Sequence, residues 1–119
     1  KQYQVSIVLS ETTRAAVSEL ACRELDRVRV KGRAQPVTLF EPLGPVDALT
    51  DALREELALH EQALVAYRAG AWELAAARFE GLRVRQPERA LYTLYLERIA
   101  VLRAQPPAAW DGVFTLAQK

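Results

Sequence analysis

The chain changes its hydrophobic period once, at Pro42-Leu43-Gly44-Pro45. Before that point the apolar residues recur in short extended runs with a period near two. After it they recur with a period near 3.6. A chain whose strands all precede its long helices cannot build alternating βαβ units. It is therefore expected to be α+β, a small antiparallel sheet followed by a helical hairpin and extension. Half of the 119 residues are hydrophobic, enough to build a core and too many for a wholly disordered segment. The expected units are residues 1–46 and 47–119.

In the first unit Val5–Leu9 reads as a buried β-branched strand, and Ser10 as the N-cap of a short helix from Glu11 to about Leu20. Arg23–Lys31 and Val37–Leu43 read as the arms of an antiparallel hairpin. Gly32 and Pro36 shape its loop. In the second unit three helices are expected. Thr50–Ala69 carries Leu53, Leu57, His60, Leu64 and Tyr67 on one stripe and is stopped by Gly70. Trp72–Arg85 carries Ala75, Ala76, Phe79 and Leu82, and is stopped by Gln86-Pro87. Glu88–Ala104 carries Leu91, Leu94, Tyr95, Ile99 and Leu102, and Pro106-Pro107 ends it. The tail around Trp110–Leu116 is expected to fold back on the helices.

Several functional classes fall away. The net charge is +1, with +2 on residues 1–46 and −1 on the rest, so no nucleic-acid partner is expected. The single cysteine, Cys22, excludes an internal disulfide, and with one histidine the chain cannot build a zinc site of the usual kind. No apolar run reaches the ~18 residues of a membrane span. The chain opens at Lys1 and contains no methionine, which suggests a processed protein or a piece of a longer one.

Each chemically suggestive residue also has a plainer reading. Arg27, Arg29, Lys31 and Arg33 share a strand parity, and a solvated face explains them more simply than a phosphate strip, since no aromatics interleave them. His60 lies in an apolar stripe with Glu56 one turn before it, which suits a buried histidine better than an acid–base group. Cys22 reads as core. Asp51, Glu55, Glu56 and Glu61 fit the positive end of their helix. Trp72, Phe79, Tyr92, Tyr95 and Trp110 read as packing between helices, with a peptide-accepting groove as the alternative.

Three phrases carry a resemblance: Val5-Ser6-Ile7-Val8-Leu9-Ser10-Glu11-Thr12-Thr13-Arg14, Arg23-Glu24-Leu25-Asp26-Arg27-Val28-Arg29-Val30-Lys31-Gly32, and Pro36-Val37-Thr38-Leu39-Phe40-Glu41-Pro42-Leu43-Gly44. In this order and spacing they resemble the C-terminal end of a class III nucleotidyl cyclase catalytic domain, over roughly residues 1–44. Tyr67, Gly70, Trp72, Ala75, Phe79, Leu82 and Pro87 resemble one tetratricopeptide repeat and part of another, the first aromatic standing about one residue out of register. The closing Pro106–Phe114 looks like the terminus of bacterial membrane-bound cyclases with a CHASE-type sensor.

The resemblance implies a parent adenylate or guanylate cyclase that converts ATP or GTP to a cyclic nucleotide and pyrophosphate with Mg2+ or Mn2+. It implies that Lys31 contacts the substrate triphosphate. The metal-binding aspartates, the base-reading residues and the transition-state asparagine and arginine would all lie upstream, so this chain alone is expected to be inactive. It further implies a cytoplasmic location and a membrane link only through other segments of an inner-membrane parent, while the homodimer expected of this chain follows from its sheet edges. Bared sheet edges over residues 4–9 or 23–43 are expected to pair with a second copy. The competing reading is a tetratricopeptide-like interaction module whose helices take a protein partner.

Overall fold

In a computed structural model, residues 3–30 and 34–116 are described. The architecture is α+β, with element order β1 (Leu9–Ser10), α1 (Glu11–Ala16), β2 (Leu20–Val30), β3 (Val37–Pro45), a 3-10 turn (Val46–Ala48), α2 (Asp51–Arg68), α3 (Trp72–Arg85), α4 (Ala90–Ala104) and β4 (Phe114–Leu116). Two compact units emerge. Among the described residues one holds 5–51 and 113–116, and the other is built on Ala52–Gly112.

The strand-rich unit is a four-stranded sheet in the order β1-β3-β2-β4. Its centre is the expected hairpin, with Val28 opposite Val37 and Arg23 opposite Glu41. Two bulges interrupt it. Leu43 is the extra residue between the Ala21–Gly44 and Cys22–Pro42 pairs, and Leu25 between Glu24–Phe40 and Asp26–Leu39. The second bulge shifts which side chains point inward. Ala21, Arg23 and Leu25 are buried on odd positions, then Asp26 and Val28 on even ones. Strict alternation would have placed Leu25 and Val28 on opposite faces.

Three features differ from the sequence expectation. The strand expected over Val5–Leu9 contracts to Leu9–Ser10, which pairs with Phe40 and Leu39, while Ile7 is 57% exposed. Strand propensity describes fit to a pleated, half-covered surface, and this run finds none before Leu9. The short helix ends at Ala16, four residues early, because Val17 leaves helical geometry at φ −121° and ψ 59°. The sheet is also mixed rather than antiparallel. The tail splits after Gly112, and Phe114–Leu116 pairs parallel to Val28–Val30. The N-cap is as expected: the Thr13 amide donates to Ser10 Oγ at 3.2 Å. Arg14 then lies over the Phe40 ring, 5.7 Å from its centroid.

In the helical unit all three long helices stand within two residues of their expected bounds. Arg78 Nη1 donates to Gln62 Oε1 at 2.7 Å and Arg85 reaches Glu55 at 3.4 Å, so α3 runs antiparallel to α2. Tyr92 meets Glu56 and Arg98 meets Tyr67, so α4 runs in the same sense as α2. The core is Ala63, Leu64, Tyr67, Ala75, Phe79, Leu82, Leu91, Tyr92, Tyr95 and Ile99. Gly70 follows α2 at φ +76°, a left-handed position where a side chain is strained. Trp110 closes this end, donating from Nε1 to the Tyr67 carbonyl at 3.0 Å. On the exposed face of α3 a hydrogen bond from Arg83 holds the Glu80 carboxyl below its usual range and raises Arg83 above its own. Among the described residues no helix is long and apolar enough to cross a membrane.

Candidate functional site

Lys31, the one substrate-contacting position suggested by the sequence, lies outside the described residues, as does Arg33. The flanking arginines are described. Arg27 Nε donates to Thr38 Oγ1 at 3.4 Å, bracing the hairpin across its two arms. Arg29 Nε donates to the Ala34 carbonyl at 3.0 Å, tying the end of β2 to the far side of the loop. These two side chains therefore help hold the hairpin that carries Lys31. Deeper in β2, Arg23 is 1% exposed and donates from Nε to Glu41 Oε1 at 3.2 Å, a charge pair on directly opposed positions.

The helical unit brings together residues that the sequence had scattered. Glu56, read as a helix-end charge, is instead buried at 3% exposure. It accepts a hydrogen bond from Tyr92 Oη at 2.6 Å, and Arg89 Nε approaches the same carboxylate oxygen to 3.1 Å. His60 is buried as expected, between the rings of Tyr92 and Phe79 at 5.7 and 6.3 Å. Phe79 stacks on Tyr95 at 4.6 Å and 5°, and Tyr95 meets Tyr67 edge-on at 4.9 Å. Trp72 and Trp110 continue the chain of rings at 5.3 Å. Arg98, 5% exposed, lies over Tyr95 and donates to Tyr67 Oη at 3.4 Å. These aromatics pack against one another, as their spacing suggested.

No family model, curated protein or solved structure matches this chain.

Its chemistry is therefore read from its own residues. Cys22 is half-buried opposite Pro42, and the only histidine of the sequence belongs to the other unit. No group of three or more histidine, cysteine, aspartate or glutamate side chains that could hold a metal ion occurs among the described residues. The divalent ions implied by the cyclase resemblance thus find no ligand set here, and no catalytic step runs through them on these residues.

One surface feature was missed from the sequence. A groove of about 390 Å³ follows the seam between α2 and α3, lined by Val65, Ala66, Ala69, Ala71 and Leu74, with Glu61 and Arg78 beside it. Val65 is 61% exposed and Leu74 48%. A second, smaller hollow along the same two helices is lined by Leu59, Ala77, Gly81 and Arg85, and Arg78 borders both. The available signal was a second stripe of small and apolar residues, three and four apart, on each helix.

Proposed function

We propose that residues 1–46 are the C-terminal part of a class III adenylate or guanylate cyclase domain and residues 47–119 its tetratricopeptide-like helical extension. The parent reaction is conversion of ATP or GTP to the cyclic monophosphate and pyrophosphate. The observation that carries this reading is the order and spacing of the three phrases. Their described residues fall on consecutive elements: β1 and most of α1, then β2, then β3. Lys31 matches the family's triphosphate-contacting lysine. Its role is to place a positive charge against phosphate oxygens. The parent is a cytoplasmic catalytic portion anchored to an inner membrane through segments outside this chain, dimeric, and served by Mg2+ or Mn2+ on upstream carboxylates.

Two measurements test it. The 119-residue chain is expected to make no cyclic nucleotide from ATP or GTP even with manganese, and product above a heat-killed control would contradict this. In the active parent, Lys31→Ala is expected to lower kcat/KM for the triphosphate about ten- to a hundred-fold, the roughly 1.5–3 kcal/mol of a hydrogen bond to a charged group. Its melting temperature should stay put. An unchanged kcat/KM makes Lys31 a loop residue only. A parent whose preceding ~130 residues, one domain's length, lack paired metal-binding carboxylates removes the cyclase reading altogether.

The exposed apolar groove favours a second reading for the helical unit, an interaction module. Deleting residues 52–112 from the parent is expected to change its association state. A deletion that leaves association and output untouched counts against a module.

A further inference from the structure

We propose that the α2–α3 groove is a homodimerisation surface whose occupant is the same groove of a second copy. The proposal rests on reading the helical unit as an interaction module and names its partner. The groove runs for roughly 12 Å from Glu61 to Ala69, eight residues at 1.5 Å each. Ala66, Ala69 and Ala71 keep its floor low, so helices of another chain can approach closely. Val65 and Leu74 stand exposed beside it as apolar anchors.

Charge selects the partner. The α2 wall carries Glu61 and the α3 wall carries Arg78. Both stand at one height along the groove, because Arg78 bonds to Gln62, the neighbour of Glu61. A two-fold axis running along the groove lays α2 of one copy over α3 of the other at equal heights. Glu61 of each chain then meets Arg78 of its mate, and Val65 meets Leu74. An isologous interface requires this self-complementarity, residue i touching j while j touches i. An acidic or basic peptide would match one wall and be repelled by the other.

The strand edge expected to pair is less suited to the task. β1 covers part of the outer side of β3, and β4 covers the Val28–Val30 end of β2. Pro42 and Pro45 remove two N–H donors from β3.

The test is sedimentation equilibrium of the full 119-residue chain. A dimer is expected. Leu74→Glu should weaken it at least a hundredfold, since the two-fold axis buries that charge twice. Glu61→Arg and Arg78→Glu should each weaken it about tenfold, and the two together should restore it. All three positions are exposed, so circular dichroism should show unchanged helix content. A monomer at every concentration overturns the second copy as occupant while leaving the deletion experiment to judge the module. A dimer that survives Leu74→Glu, or a double variant no tighter than the singles, also overturns it.

Discussion

Phe79→Ala is expected to unfold the helical unit at a far lower urea concentration than the native chain, through a loss of about 3–5 kcal/mol. Phe79 has no exposed surface and stacks face to face on Tyr95 at 4.6 Å. It also meets Tyr92 at 6.2 Å and His60 edge-on at 6.3 Å, so one ring joins all three helices. Truncation removes that apolar area, opens a cavity between rings too rigid to close it, and forfeits the geometric preference of the stack. A unit of about sixty residues holds only a few kcal/mol in reserve, so the loss consumes much of it. Both tryptophans, Trp72 and Trp110, lie in this unit, so their fluorescence follows its unfolding alone. Phe79→Leu keeps most of the volume and loses the stack, and it should cost roughly 1.5 kcal/mol. If the alanine variant loses less than the leucine variant, the ring cluster does not hold the unit together.

The helices were legible because local signals and packing agree in them. Gly70, Gln86-Pro87 and Pro106-Pro107 end elements by chemistry that no tertiary context overrides, and the stripe through His60, Leu64 and Tyr67 became core. The strand half was legible only where a partner strand exists. Val5–Val8 has the composition of a strand and no strand partner among the described residues. Phe114–Leu116 has little beyond a short apolar run, and a parallel edge on β2 makes it a strand. The bulge at Leu25 was invisible because it depends on a register across the hairpin that residues 23–31 do not encode by themselves.

The candidate sites divide in the same way. Lys31 was reached through resemblance, and the described geometry extends to Val30 on one side of it and Ala34 on the other. The groove was missed because α2 carries two apolar stripes. Sequence alone does not say which one α4 covers and which is left open beside α3. Glu56 was misread for a related reason. Its place near the start of α2 suited the helix dipole, but the dipole it serves is that of another helix.

That misreading leads to the second large effect. Glu56→Ala is expected to destabilise the helical unit by about 3 kcal/mol, at the lower end of the range for breaking a buried pair. α4 begins at Ala90 with Arg89 as its cap residue, no side-chain cap and no acidic residue in its first turn. Positive charge is thus concentrated at a helix end that is already positive. Glu56 supplies the missing anion from α2, accepting from Tyr92 Oη at 2.6 Å in the first turn and lying 3.1 Å from Arg89 Nε. Alanine removes the acceptor at 2.6 Å from the Tyr92 hydroxyl, in a residue with no exposure, and the buried anion that faces the start of α4. Arg89 is 30% exposed although its Nε is buried, so part of its side chain keeps contact with water and the cost stays at that lower end. Glu56→Gln retains an acceptor for Tyr92 and loses only the charge, so about 1–2 kcal/mol is expected. Tyr92→Phe removes the donor and should cost a similar amount. Urea unfolding read by tryptophan fluorescence distinguishes the cases. Alanine and glutamine variants of equal stability would mean that the Tyr92 hydrogen bond contributes nothing. An alanine variant as stable as the native chain would mean that Glu56 does not anchor α4 at all.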